Sequence, residues 1–115
     1  MMIVKRWQVV YCDMSPVVGS EQGGYRPVVI LSNDIGNRHA PIFIGACITS
    51  KTGKKRLPTQ VIIDTTCGLS VDSMVQCEQI RTLDKSRIKS FIGEITDEAQ
   101  QKEIEKAMMI SLGVN

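Results

Sequence analysis

The 115-residue chain reads as an α+β protein that is mainly β: an antiparallel sheet carrying a short helix and a C-terminal helix, all in one domain spanning residues 1–115. Three observations lead there. Short runs rich in apolar and branched residues recur at 7–14, 28–32, 42–48, 59–65 and 73–80, the pattern of strands. The segments between them are too short to hold crossover helices, so neighbouring strands should run antiparallel. Helical periodicity emerges only near the C-terminus, after residue 84.

Taken in order, residues 7–14 alternate imperfectly and read as a first strand. A polar, glycine-rich loop follows (Gly19, Ser20, Glu21, Gln22, Gly23, Gly24) and runs through Arg26-Pro27 into the apolar run 28–32. Proline holds the residue before it in extended backbone, and its missing N–H confines it to a strand start or edge, so Arg26 should be pinned at the mouth of a strand. Residues 33–41, dense in turn-formers, read as a loop or short helical turn. The runs 28–32 and 42–48 have the character of strands covered on both faces. A basic connection, 50–58, leads to a strand at 59–65, a turn at 67–72 and a strand at 73–80. Asp84 can cap a short helix to about residue 90, 91–95 fits a brief strand, and Thr96 or Asp97 caps a longer helix to about residue 112. Its stripe of Ile104, Ala107, Met108 and Leu112 is a packing or dimer face.

Composition narrows the function classes. A hydrophobic fraction of 43% with 23% charged residues is that of a soluble globular protein. The apolar run 40–48 is too short to cross a bilayer, and nothing like a secretory leader opens the chain, so a cytoplasmic location is expected. The net charge of +2 is too small to argue for nucleic acid by itself, so any basic surface must be local. Cys12, Cys47, Cys67 and Cys77 have no C-x-x-C spacing and only His39 for company, which gives no support for a metal site; no cofactor is expected. The lone histidine also removes any two-histidine ribonuclease mechanism. Neither glycine-rich stretch has the spacing of a nucleotide-triphosphate loop.

Arg26 and Thr49 remain. Each sits at a strand mouth, and adjacent strands can bring such side chains within about 5 Å when they are directly opposite. A guanidinium offers a planar fork of N–H donors and a threonine a rotatable hydroxyl, both suited to phosphate oxygens. From spacing alone Arg26 is equally readable as a surface ion-pair partner of Glu21 or Glu78, and the basic 50–58 connection as a solvated loop.

Five blocks in matching order resemble the MazF/PemK/Kid family of toxin–antitoxin ribonucleases: S-P-V-V-G-S-E-Q-G-G-x-R-P-V, N-D-I-G-N-R, A-x-I-T-S, K-x-x-L-P-T and E-Q-I-R-T-L-D-K, from Met2 to about Ile92. The resemblance implies a small SH3-like barrel or sheet of CcdB/PemK type, a homodimer, and metal-independent cleavage of single-stranded RNA to a 2′,3′-cyclic phosphate and a 5′-hydroxyl. It also implies inhibition by a cognate MazE-like antitoxin, whose acidic or disordered segment would suit a basic rim. The family's catalytic pair falls on Arg26 and Thr49. Its substrate-binding positions fall on or near Ser20, Glu21, Gln22, Asn33, Ser50, Lys51, Lys54, Arg56, Leu57, Pro58, Gln76, Glu78 and Gln79, with Lys55 adding a further cation. Aromatics make up only 4% of the chain, so base recognition is expected to rest on hydrogen bonds more than stacking.

The chain departs from the family's pattern twice. Arg6-Trp7-Gln8 stands where the family has R-G-(D/E), and Gln76 and Glu78 stand where plasmid-borne relatives place an Arg-x-Asp pair. Two alternatives belong to other classes. A CcdB-like gyrase poison ends in Trp-Gly-Ile, whereas this chain ends in Leu112-Gly113-Val114-Asn115, and an inactive RNA- or antitoxin-binding homologue is kept open by Trp7 and Gln8.

Overall fold

A computed structural model describes residues 2–53 and 55–114. Its strands are β1 (Gln8–Asp13), β2 (Tyr25–Ile30), β3 (Ile42–Thr49), β4 (Gln60–Ile63), β5 (Ser73–Asp84) and β6 (Ile88–Glu94); its helices are α1 (Asp34–His39) and α2 (Glu98–Leu112). They build one six-stranded open sheet in the order β4-β5-β3-β2-β1-β6. Every pairing is antiparallel, as short connections require.

The continuous apolar runs make sense once the sheet is seen from both sides. Val9, Val29, Ala46 and Ile48 enter one buried cluster, which Ile104 and Ala107 of α2 close, while Val10, Val28, Ile30 and Cys47 enter a second with Phe43, Met14 and Leu83. Neighbouring residues of one strand thus feed opposite cores, and a strand in that position cannot afford polar alternation. All four cysteines are free and buried among these apolar side chains. Helix α2 starts where the Asp97 side chain accepts from the Ala99 N–H at 3.1 Å and stops where Gly113 adopts φ 73° and Val114 N–H reaches back to Met109 O at 2.8 Å. The expected stripe is buried at Ile104 and Ala107, half-buried at Met108 and exposed at Leu112.

Several expectations are corrected. The helix placed after Asp84 is only a 3-10 turn, Lys85–Arg87, because β6 begins at Ile88 and pairs with β1; the brief strand expected at 91–95 is the second half of this longer one. Strand β5 runs to Asp84 instead of residue 80. It does so through a bulge: Ala46 pairs with Ile80 but Cys47 pairs with Gln76, so Cys77, Glu78 and Gln79 drop out of the ladder with β3. Residues 59–65 shorten to β4, with the Asp64 side chain capping a 3-10 turn at Thr65–Cys67. The 33–41 segment folds as α1, capped by Asn33. Strand β2 begins at Tyr25, three residues earlier than expected, so Arg26 and Pro27 lie inside it. Proline is tolerated there because the ladder to β3 is picked up only at Val28, one residue beyond it.

Trp7 is the one described non-glycine residue with positive φ, at 76°. It occupies the position where the family pattern has glycine, which adopts that conformation without the Cβ penalty. The Arg6 guanidinium lies 4.8 Å above the indole ring, and the Trp7 backbone is held by its N–H to Ile30 O at 2.7 Å and by the Ile95 N–H to its carbonyl at 2.9 Å.

Candidate active site

The β2–β3 register runs Val28–Cys47, Val29–Ala46, Ile30–Gly45. Continued two steps toward the strand ends, it sets Arg26 across from Thr49. Both side chains line one cleft of about 430 Å³, together with Gln22, Lys51, Lys55, Leu57, Gln60, Met74 and Gln76.

Each group is held by its neighbours. The Arg26 Nε–H donates to Gly23 O at 3.0 Å, which fixes the guanidinium plane while its two terminal nitrogens carry no hydrogen bond among the described residues. The Thr49 Oγ1 accepts from the Lys51 N–H at 3.2 Å, so the hydroxyl proton stays available for donation. Across the cleft the Gln22 side-chain amide donates to Gln76 Oε1 at 3.0 Å, and the Gln22 N–H approaches Gln79 Oε1 at 3.4 Å. These contacts lay the glycine-rich loop over the floor made by β5. The far end of the loop is clamped by Arg81 to Met14 O at 3.1 Å and by Arg87 to the carbonyls of Asp13 (3.0 Å) and Ser15.

Electrostatically the cleft is one-sided. Arg26, Lys51 and Lys55 are cations, and no carboxylate is among the described lining residues. The two acids that could have neutralised Arg26 are engaged elsewhere. Glu21 accepts from the Val18 N–H at 2.6 Å, and Glu78 accepts from Thr59 Oγ1 at 3.1 Å and Gln60 Nε2 at 2.5 Å. Among the described residues neither forms an ion pair with Arg26; Arg6 pairs with Glu105 at 3.2 Å, away from the cleft lining. Cys47 lies behind the site. Burial pushes its thiol up, and the nearby Arg81 and Arg26 guanidiniums offset part of that rise.

The remaining sequence candidates scatter around this cleft. Ser20, Glu21, Glu78 and Gln79 line an adjoining depression on the far side of the loop. Arg56 and Pro58 face a groove against α2 that shares Gln60 with the cleft. Ser50 lies in a further depression that shares Arg26. Asn33 is elsewhere: its side chain accepts from the Gly36 N–H at 2.8 Å as the cap of α1, and it lines a separate hollow beside β3. Lys54 falls outside the described residues. Two lining residues escape sequence reasoning, Gln60 and Met74. Gln60 is directly opposite Gln76, but nothing in the sequence sets the β4–β5 register that brings it there.

A fixed, unneutralised guanidinium, a donor hydroxyl and two lysines around one concave surface can hold a phosphodiester and concentrate positive charge where negative charge grows on it. Among the described residues there is no cluster of three or more histidine, cysteine or acidic side chains that could hold a metal ion.

The comparisons with known proteins fit this geometry. A family model described as PemK-like, MazF-like toxin of type II toxin–antitoxin system matches residues 5–112. The chain is 50% identical over 114 residues to endoribonuclease EndoA of Bacillus subtilis (strain 168), covering 98% of this chain and 97% of that one. Among solved structures it superposes on an endoribonuclease in complex with its cognate antitoxin from a mycobacterial species, with TM-score 0.80, 28% identity and 97% of each chain covered. It also superposes on MazF from Deinococcus radiodurans, with TM-score 0.84, 25% identity, and 99% and 100% covered. With its two-faced antiparallel sheet and its match over almost the whole length, this chain belongs to the PemK-like, MazF-like toxins of type II toxin–antitoxin systems.

Proposed function

We propose that this protein is a sequence-specific, metal-independent endoribonuclease toxin acting on single-stranded RNA, with Arg26 and Thr49 as its catalytic pair. The observation that carries the reading is their meeting, unneutralised, in one cation-lined cleft of a chain half identical to an endoribonuclease.

The chemistry follows from the groups. The substrate's 2′-hydroxyl gives its proton to water as its oxygen attacks the adjacent phosphorus, the bond to the 5′-oxygen breaks and that oxygen is protonated, so the products are a 2′,3′-cyclic phosphate and a 5′-hydroxyl. As phosphorus becomes five-coordinate, its non-bridging oxygens gain charge and the donors of Arg26 and Thr49 strengthen their hold on them. The departing 5′-oxygen takes its proton through Arg26, which regains one from water in the same step. Arg26 does not serve as the base, because a guanidinium carries N–H donors and no acceptor. Lys51, Lys55 and Arg56 contact flanking phosphates. Gln22, Leu57 and Gln76 meet bases inside the cleft, and Ser20, Glu21, Glu78 and Gln79 meet them in the adjoining depression.

The protein works in the cytoplasm as a homodimer, and a MazE-like antitoxin silences it by laying an acidic segment along the basic rim. A CcdB-like gyrase poison is not supported by the family match or by the endoribonuclease relative. Purified protein incubated with a mixed-sequence transcript in EDTA should cut it at discrete sites with cyclic-phosphate ends. Arg26→Ala or Thr49→Ala should abolish the cutting with the circular-dichroism spectrum unchanged. Uncut transcript with folded wild-type protein would reject the reading.

A further inference from the structure

A second depression, of about 280 Å³, shares Arg26 with the cleft and is lined besides by Tyr11, Tyr25, Pro27, Ser50 and Val71. The two rings are stacked, with centroids 6.0 Å apart and planes 16° from parallel. Tyr11 backs Tyr25, and Tyr25 remains 58% exposed, an unusual state for an aromatic ring on a sheet. The chain holds only five residues with aromatic rings of the Phe, Trp and Tyr type (two Phe, one Trp, two Tyr), so two of them set face to face beside the site cation form its one stacked aromatic surface among the described residues.

We infer that Tyr25, backed by Tyr11, is a stacking platform for a nucleobase next to the scissile phosphate. The inference rests on the ribonuclease reading above and extends it: Arg26 belongs to both depressions, so an RNA strand whose phosphate sits on Arg26 has one neighbouring nucleotide directed into the glutamine-lined cleft and the other toward the tyrosines. The two sides suit different contacts. The cleft offers amides and cations to base edges and phosphates, whereas the tyrosine side offers a π face that accepts any base. Recognition is thus edge-selective on one side of the cut and sequence-tolerant on the other, and the expectation that stacking contributes little is revised for this one position.

Single-turnover cleavage of a mixed-sequence transcript, with enzyme in excess and varied, separates affinity from the saturating rate. Tyr25→Ala should raise the half-saturating enzyme concentration by about 5- to 100-fold, the range of one lost base–aromatic stack, and change the saturating rate by less than about 3-fold. Tyr25→Phe should stay within about 2-fold of wild type, and Tyr25→Leu, which keeps apolar bulk without a π face, should remain as weak as alanine. The inference is overturned if Tyr25→Leu binds like wild type, if Tyr25→Ala leaves affinity intact, or if light scattering shows that Tyr25→Ala changes the oligomeric state, which would make the ring a contact with a second copy of the chain. If wild-type protein cuts no RNA, the ribonuclease reading itself fails; if it cuts and Arg26→Ala does not, while Tyr25 variants are neutral, only the platform falls.

Discussion

Replacing Arg26 by lysine is the sharpest test of how this site works, because it preserves the charge and removes the fork. In the structure one guanidinium nitrogen is spent on Gly23 O at 3.0 Å and the terminal pair is left for substrate. An ammonium cannot do both: it either stays with the Gly23 carbonyl or turns into the cleft untethered. At about 4 Å and an effective dielectric near 20, a unit cation and a unit anion attract by about 4 kcal/mol, and removing a preorganised donor from a developing oxyanion costs about 2.7–4 kcal/mol, or about 10²- to 10³-fold in rate. Arg26→Lys should therefore retain the electrostatic attraction for RNA, binding within about 3-fold of wild type, yet lose about 10²-fold in the saturating single-turnover rate; Arg26→Ala should lose about 10³-fold and bind more weakly. The loss of one hydrogen bond, about 1 kcal/mol, leaves both variants folded, which thermal unfolding checks. A lysine variant cutting within about 3-fold of wild type would show that charge alone suffices and that the tether to Gly23 is irrelevant to catalysis.

Four further outcomes follow from other parts of the molecule. Gln76→Met removes the acceptor that holds Gln22, one residue from Gly23, and should lower the saturating rate about 10-fold through misplacement of Arg26; Gln22→Met should add little on top of it, and a fully additive double mutant would break the chain of contacts proposed. Because Trp7 sits at φ 76°, Trp7→Ala keeps the strain and loses the packing, whereas Trp7→Gly loses the packing and relieves the strain, so the glycine variant should be the more stable of the two by about 1–2 kcal/mol in urea titration; the reverse order would refute the strain argument. In acid, Asp34, Asp64 and Asp84 are held below the ordinary carboxylate range, chiefly by the Arg6 N–H, the Thr66 side chain and the Ser86 side chain respectively. A depressed carboxylate stabilises above its unfolded value of about 3.9 and loses that contribution as pH falls below it, so replacing all three by asparagine should flatten the loss of stability below about pH 4. At the alkaline end the sign is opposite. Burial pushes Cys12 and Cys77 up to about 12, so the unfolded chain sheds their protons first and stability should fall as pH rises from about 8.5.

How much of this was legible beforehand differs by residue. Arg26 and Thr49 could be named because a proline and a strand end fix the backbone on either side of them, and because local blocks of sequence resemble a known family. The antiparallel sheet followed from loop length alone. What stayed hidden is long-range register. The bulge that drops Cys77 to Gln79 out of the β3 ladder has no local marker, since the run 73–80 reads as an ordinary strand, yet it decides that Gln76 meets Gln60 in the cleft while Gln79 meets the loop. Residues 85–90 misled for a related reason: Asp84 is a sound cap, but the ladder offered by β1 claims the backbone from Ile88 onward. Asn33 reads both ways in the sequence, because capping and base reading ask for the same side chain; its place apart from the cleft, as the cap of α1, is visible only in the fold.

The hydrogen bond from Arg26 to Gly23 ties the proposed catalytic cation to the glycine-rich loop beside it. Whatever draws the glycine-rich loop off the floor of β5 takes the guanidinium out of alignment with it. A partner need not fill the phosphate position to disarm the enzyme; a grip on the outer side of residues 18–22 would be enough, and RNA could stay bound and uncut.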